Sequence, residues 1–202
     1  MGLDHIFLDL GLTSTDKDGE ITAIAAVRTD SRAKVIASFS DEVRNSTCIR
    51  GDGNAPPGFV EVIDNMLAVI CAPNFIKEYV IIGAHHETDR AFIKAAWKGI
   101  DLKRWTNNGH RIEPFYGHRR IDILQLAWPL CYNKTLNDGS FECLCHHFEV
   151  PNKDPGSTMG DCEALVRCYW KLMNRYKTAL YGEGLVREIG GKGYESLVSF
   201  FK

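Results

Sequence analysis

Three aspartates stand at places in the sequence where a carboxylate could do chemistry. Asp9 lies inside an apolar run between two leucines, Asp89 opens a helical segment just after the apolar run YVIIGA, and Asp161 lies in the first turn of a long helical segment. A charge inside an apolar strand is costly unless it is paired or binds a metal. Acids at helix starts are common, because they favour the positive end of the helix dipole. Together the three carboxylates would suit a hard divalent cation, whereas Asp89 and Asp161 taken singly fit helix-start positions better than ligand positions.

The hydrophobic pattern around these aspartates predicts an α/β domain. The first three β-rich runs are separated by short turns, which predicts an antiparallel meander. The apolar run at 79–84 is continuous, as in a strand buried on both faces. Strands then alternate with helices, which calls for a mixed sheet covered by helices. The predicted strands are 5–12, 21–27, 33–40 and 79–84, and 120–130 is predicted to combine a short strand with the start of a helix. The predicted helices are 59–71, 89–98, 140–148 and 159–176; 45–58 and 101–119 are predicted loops.

Four segments resemble, in the same order, the motifs of the DEDD (DEDDh-like) 3′→5′ exonucleases of the ribonuclease-H-like superfamily. They are IFLDLGLTSTDKDGEITAIAAV, IIGAHHETDRAFI, RRIDILQLAWPL and SFECLCHHFEVPNKDPGSTMGDCEALVRCYWKL, and the resemblance covers roughly residues 4–176. It implies a single exonuclease-like domain over residues 1–202, with 177–202 as a C-terminal extension. It also implies a ribonuclease-H-like mixed sheet, in which three antiparallel strands are followed by parallel strands and helices flank the sheet.

The same resemblance implies an activity and its site. Asp9, Asp89 and Asp161 match three of the family's four metal-binding acids, and the implied cofactors are two Mg²⁺ or Mn²⁺ ions. The implied reaction is hydrolysis of single-stranded DNA or RNA from 3′ ends. The implied contacts to the nucleic acid come from Leu10, Gly11, Leu12 and His85.

Two positions depart from the family pattern. Gly11 stands where the family has the glutamate of its Asp-x-Glu motif, so one metal ligand is missing. Gly156 stands where the family has its general-base histidine, and Ser157 stands where a related branch has a tyrosine. Loss of a proton acceptor costs about 10² to 10⁴ in rate. Possible substitutes, each of which fits a strand end or a half-exposed helix position better, are His85, His86, Glu87, His146 and His147.

Two functions of different classes remain open. The retained aspartates favour a metal-dependent exonuclease, whereas the two glycines favour a degenerate exonuclease fold that binds a nucleic-acid end or a protein without cleaving. A third reading is that one of the glycines is an introduced replacement. Restoring glutamate at position 11 and histidine at position 156 would reveal a decayed nuclease through strong activity of the double variant.

The overall charge does not by itself indicate a nucleic-acid-binding protein. The 202 residues carry a formal net charge of −2, with a pI of about 6.4, whereas proteins that bind long nucleic acids without sequence preference are usually basic. A carboxylate metal site lowers the net charge on its own. The most basic segment, 98–120, also contains Trp105 and Tyr116, and it fits either a single-strand contact or a solvated loop.

The seven cysteines have irregular spacing that does not fit a secreted disulfide framework. The sequence shows no signal peptide and no apolar stretch near the roughly 20 residues of a membrane span, so we expect a cytoplasmic protein with reduced thiols. A zinc site of Cys143, His147 and Cys162 is conceivable, but the spacing lacks the Cys-x-x-Cys pairs of structural zinc sites. Cys145 and Cys168 fall on apolar helix faces, which predicts buried free thiols.

Overall fold

The computed structural model shows five strands and five helices in the part of the chain that it describes. The described residues are 3–16, 19–43, 58–71, 79–98, 119–132, 136, 138–154 and 156–181. The strands are β1 (Asp4–Leu12), β2 (Ile21–Thr29), β3 (Val35–Glu42), β4 (Tyr79–Gly83) and β5 (Arg120–Asp122). The helices are α1 (Phe59–Cys71), α2 (His86–Lys98), α3 (Ile123–Tyr132), α4 (Phe141–His147) and α5 (Thr158–Tyr181).

The strands form one mixed sheet in the order β3-β2-β1-β4-β5. β1 pairs antiparallel with β2, and β2 pairs antiparallel with β3. β4 lies parallel to β1, and β5 lies parallel to β4. This arrangement confirms the predicted ribonuclease-H-like sheet of three antiparallel strands followed by parallel ones. β1 is the central strand. Because β4 lies parallel to β1, the carboxyl ends of these two strands lie at the same end of the sheet.

Helices cover both faces of the sheet, because the central strand is apolar on both. On one face, Phe7 packs in a cluster with Leu165 and other side chains of α3, α4 and α5. On the opposite face, Ile6 and Leu8 pack in a second cluster with side chains of α1 and α2. Successive side chains of a strand alternate between the faces. Asp9 therefore shares the face of Phe7, toward α5.

The structure confirms the predicted elements and extends two of the helices. α2 begins at His86, not at Asp89 as predicted, and the backbone N–H groups of Thr88 and Asp89 both donate to the carbonyl oxygen of His85. α5 continues past the predicted end at 176. Within the described ranges, no helix has both the length and the apolar character that a membrane crossing requires. Most of the predicted loops at 45–58 and 101–119, and the tail 182–202, lie outside the described residues.

Candidate active site

Three elements bring the predicted aspartates to one region of the sheet. Asp9 lies near the carboxyl end of β1, and Asp89 lies in the first turn of α2, which follows the parallel neighbour β4. Asp161 lies in the first turn of α5, the helix that packs on β1 and β2. Open α/β sheets bind their ligands at the carboxyl ends of their parallel strands. The three aspartates thus all lie toward the carboxyl ends of β1 and β4, where a ligand is expected.

The carboxylate of Asp9 is electrostatically coupled to those of Asp161 and Asp89. Burial, together with repulsion from Asp161, raises the pKa of Asp9 to about 7. Burial, together with repulsion from Asp9 and Asp122, raises the pKa of Asp89 to about 8. Burial also raises the pKa of Asp161, and a hydrogen bond from Asn152 opposes that rise. Like charges in one region disfavour the ionised forms. We refer to Asp9, Asp89 and Asp161 as the aspartate cluster, with Asp9 in its middle.

A short loop before α5 holds the carboxylate of Asp161. Asn152 donates a hydrogen bond from Nδ2 to Oδ1 of Asp161, and Oδ1 of Asn152 accepts from the backbone N–H of Asp154 at 3.3 Å. A Cβ atom at Gly160 would lie 2.5 Å from the carbonyl oxygen of Asp154, so glycine is needed for this close approach. Sequence reasoning missed this contact, because no local pattern links Asn152 to Asp161 nine residues later.

Asp122, at the end of β5, is a second residue that sequence reasoning left without a role. Its Oδ2 accepts from the backbone N–H of His86 at 3.2 Å, and its Oδ1 accepts from that of Leu124 at 2.9 Å. One carboxylate therefore satisfies free N–H groups at the starts of both α2 and α3. Because Asp122 also contributes to the raised pKa of Asp89, it lies at the margin of the aspartate cluster. The available signal was its position at the end of a short strand inside the third matching segment.

Gly11 lies in tight packing that leaves no room for a glutamate. The pairing of β1 with β2 shifts register between Gly11 and Leu12. A Cβ atom at position 11 would lie 2.8 Å from Oγ1 of Thr158 and 2.9 Å from Oγ1 of Thr22. Both threonine side chains would have to move to admit any side chain. The proposed restoration of glutamate at this position is therefore a steric change as well as a chemical one.

Gly156 and Ser157 have local structural roles at the start of α5. Gly156 adopts a φ of +85°, a left-handed conformation that disfavours a side chain such as histidine. Ser157 precedes the helix, and its carbonyl oxygen accepts from the backbone N–H of Asp161 at 2.9 Å. Its Oγ lies 3.4 Å from the backbone nitrogen of Gly160, which donates to it. These contacts make Ser157 the N-terminal cap of α5.

The histidines weighed as substitute bases divide into two pairs. The sequence pattern predicted that His85 and His86 end β4, but they form the turn into α2 instead. His85 is exposed and has a φ of 59°, whereas His86 is buried. Burial lowers the pKa of His86, which favours the neutral ring. On α4, His146 is exposed and His147 is half-buried, as expected, and Nε2 of His147 lies 2.8 Å from Nη1 of Arg175. His86 is on the same helix as Asp89, whereas His146 and His147 are on α4.

The aspartate cluster has oxygen atoms that could bind a metal ion, but its side chains are not positioned around a common point. Oδ2 of Asp89 is buried and has no hydrogen-bond partner among the described residues. Across those same residues, no group of three or more His, Cys, Asp or Glu side chains is arranged to hold a metal ion. The zinc site considered for Cys143, His147 and Cys162 is therefore not formed. Cys162 is instead fully buried, and its Sγ lies 3.5 Å from the carbonyl oxygen of Phe7 on β1.

The residues implied as nucleic-acid contacts differ in their accessibility. Leu10 is only 8% exposed and packs in the core, whereas Gly11 and Leu12 are half-buried and His85 is exposed. Most of the basic segment predicted at 98–120 lies outside the described residues. At its end, Arg119 is exposed, and Nη2 of Arg120 lies 3.4 Å from a carboxylate oxygen of Glu87.

The sheet order and the covering helices define an α/β fold with a ribonuclease-H-like mixed sheet. A product-bound exonuclease I aligns over 87% of this chain and 44% of its own, with a TM-score of 0.60 and 15% identity. A zinc-bound complex of E. coli exonuclease I with single-stranded DNA aligns over 89% of this chain and 42% of its own, with a TM-score of 0.62 and 15% identity. A full-length 3′-exonuclease aligns over 87% of this chain and 83% of its own, with a TM-score of 0.62 and 12% identity.

These similarities establish the fold and leave the activity to be argued from the site. The chain spans less than half the length of the exonuclease I chains that it matches. No protein-family profile and no curated protein sequence matches it.

Proposed function

We propose that this protein hydrolyses single-stranded nucleic-acid ends in the 3′→5′ direction, with the aspartate cluster holding Mg²⁺ or Mn²⁺. The observation that carries the proposal is the burial of Asp9 and Asp89, which, with repulsion from Asp161 on Asp9 and from Asp9 on Asp89, raises their pKa values to about 7 and about 8. Partly buried like charges destabilise a fold that offers them no counter-charge. A divalent cation would supply that counter-charge, and the similar folds belong to proteins named as exonucleases.

The aspartate cluster fits a hard cation for two reasons: its donor atoms are carboxylate oxygens, and one of them, Oδ2 of Asp89, has no hydrogen-bond partner among the described residues. Carboxylate oxygens are the ligands that Mg²⁺ and Mn²⁺ prefer, and the buried Oδ2 of Asp89 has no described partner. Oδ1 of Asp161 is engaged by Asn152, so its other oxygen would face the ion. The side chains would have to rotate for three of them to share one ion. Bound cations would supply a hydroxide nucleophile and stabilise the leaving 3′ oxygen.

The protein's own residues would set the protonation and the position of these ligands. At pH 7 without metal, Asp89 keeps its proton in most molecules, because its pKa is about 8. Cation binding would therefore release protons and would tighten as the pH rises. Asn152 orients Asp161, and Asp122 holds the start of the helix that carries Asp89. Position 156 offers no proton acceptor, so slow turnover is part of the proposal.

The proposed substrate is single-stranded DNA or RNA with a free 3′ end. The similar structures include E. coli exonuclease I in complex with single-stranded DNA and with a dT13 oligonucleotide. Gly11 and Leu12 at the end of β1, with the exposed His85 beyond β4, would line the path of the strand, whereas Leu10 is buried in the core. The expected cytoplasmic location remains a prediction.

The packing at Gly11 favours a second candidate, a binding module that holds a nucleic-acid end without cleaving it. Hydroxyl groups of Thr158 and Thr22 fill the space that a fourth carboxylate would need. With three acids only, the site would hold cations weakly and could still bind a single strand through them.

A nuclease assay combined with metal titration tests both candidates. We expect Mn²⁺- or Mg²⁺-dependent shortening of a 5′-labelled single-stranded oligonucleotide, abolished by EDTA and by Asp9→Ala. Calorimetry should detect Mn²⁺ binding that the same substitution weakens. The control Glu42→Ala removes an exposed carboxylate from the edge strand β3 and should keep full activity. Oligonucleotide binding without shortening at high protein concentration would establish the binding module, and absence of both metal and oligonucleotide binding would reject both candidates.

A further inference from the structure

Cys145 on α4 and Cys168 on α5 face each other where these two helices pack. Their sulfur atoms lie 3.5 Å apart, and the Cys168 thiol donates to Sγ of Cys145. Cys168 is fully buried, whereas Cys145 is 8% exposed and lines a surface groove of about 660 Å³. Cys145 is therefore the residue of the pair that a small molecule in this groove can reach.

We propose that Cys145 and Cys168 form an oxidation site, which hydrogen peroxide converts into an intramolecular disulfide. A disulfide bond is about 2.0 Å long, so the two sulfur atoms must approach each other by about 1.5 Å. Small rotations of both side chains would share that movement between α4 and α5. Neither cysteine belongs to the aspartate cluster, so the oxidation site does not depend on whether the protein is a nuclease.

The reaction proceeds in two balanced steps. The Cys145 thiolate attacks one oxygen of hydrogen peroxide, the O–O bond breaks, and a sulfenic acid forms while hydroxide leaves and takes up a proton to become water. Cys168 sulfur then attacks Cys145 sulfur, the S–O bond breaks, and the departing hydroxide combines with the proton of the Cys168 thiol. Two thiols lose two hydrogens and two electrons in total, and the peroxide is reduced to two water molecules.

The surroundings assign the two roles. The hydrogen bond donated by Cys168 lowers the pKa of Cys145, and the same contact raises the pKa of Cys168. Burial and the negative charge of Asp161 oppose this lowering of the Cys145 pKa, and the positive charge of Arg167 adds to it. Thiolates are the form that peroxide oxidises. The accessible sulfur is thus the reactive one, and the buried sulfur is placed to resolve the sulfenic acid.

The disulfide would brace the segment that positions Asp161. The chain between Cys145 and Cys168 contains Asn152, which holds the Asp161 carboxylate. The backbone N–H of Val150 also donates to the carbonyl oxygen of Cys145 at 2.9 Å. The oxidised protein should therefore gain thermal stability, with a rise in Tm of roughly 5–10 °C.

Peptide mapping of the full chain tests the assignment directly. The protein is treated with hydrogen peroxide, its remaining thiols are blocked, and it is digested with trypsin without reduction. Trypsin places Cys145 on the peptide 135–153 and Cys168 alone on the short peptide 168–171, while Cys162 lies on 154–167. We expect 135–153 linked to 168–171, with fragmentation placing the bond on Cys145 and not on Cys143, and loss of the link after dithiothreitol.

Matched variants separate the attacking thiol from the resolving one. Cys168→Ser should leave the sulfenic acid of Cys145 trappable by dimedone, and Cys145→Ser should abolish both the label and the link. The control Cys131→Ser removes a half-buried thiol at another site and should leave the link unchanged. A link through any other cysteine, or no link in the wild-type protein under conditions that label Cys145, would overturn the proposal. The mapping of the wild-type protein decides the question even if a serine variant fails to fold.

Discussion

Replacing Asp89 with asparagine should make the unfolding free energy fall less steeply between about pH 5 and pH 8 than it does in the wild-type protein. Asp89 is 5% exposed, and burial with repulsion from Asp9 and Asp122 raises its pKa to about 8. The folded protein therefore holds this proton more tightly than the unfolded chain, in which the pKa is near 3.8. The resulting stability is complete below the unfolded pKa and is lost as the pH rises through the folded one.

The size of the effect follows from the two pKa values of this carboxyl. Each pKa unit corresponds to about 1.4 kcal/mol of free energy. Linkage then gives a loss of unfolding free energy on the order of 3 to 4 kcal/mol between about pH 5 and pH 8. Asparagine has nearly the shape of a protonated carboxyl and does not titrate in this range. Asp9, with a pKa of about 7, adds a loss in the same direction that persists in the variant.

Urea unfolding at a series of pH values in EDTA measures this loss. The wild-type unfolding free energy should fall more steeply with pH than that of the Asp89→Asn variant. The control Glu42→Gln removes one exposed charge and should follow the wild-type curve. Equal pH dependence of wild type and Asp89→Asn would refute the burial of Asp89 beside Asp9. Mn²⁺ should restore wild-type stability at pH 8; failure of this arm alone would count against metal binding and not against the burial.

Two further substitutions test the surroundings of the aspartate cluster. Asn152→Ala should raise the pKa of Asp161 further, because it removes the hydrogen bond that opposes the rise; carbon-13 NMR titration of the carboxyl measures this, and Asn174→Ala, farther along α5, should leave it unchanged. Gly11→Glu should lower the unfolding free energy by about 1–3 kcal/mol, because its side chain would overlap two threonine hydroxyls; urea unfolding checks this, and a neutral or stabilising result would contradict the packing described at that position.

The elements of the fold could be predicted from the sequence because each has a local cause. β4 is a continuous apolar run of strand length, β1 is an apolar run interrupted by one acid, and α1 repeats its apolar residues at helical spacing. The position of Asp9 within such a run placed it near the centre of the sheet. The two helix ends that differed most from the prediction are the start of α2, which depends on a turn at His85, and the end of α5, which continues beyond its apolar stripe.

The contacts of the candidate site could not be predicted in the same way, because they join residues that are far apart in the sequence. Nothing around Asn152 indicates that its amide reaches Asp161, and nothing around Gly11 indicates that Thr158 fills the adjoining space. The apolar helix faces predicted that Cys145 and Cys168 would each be buried. They could not predict that the two sulfur atoms would meet.

The two glycines that depart from the family pattern have become part of the local packing. At position 11, the space for a side chain is taken by hydroxyl groups from β2 and α5, and α5 is also the helix that carries Asp161. At position 156, the backbone itself has the left-handed conformation that glycine tolerates best. Glutamate at position 11 would therefore require Thr158 and Thr22 to move, and histidine at position 156 would have to adopt a left-handed backbone conformation. Inactivity of such a double variant would not separate these steric effects from missing chemistry, so the native aspartates, tested one at a time, are the sounder measure of what the site does.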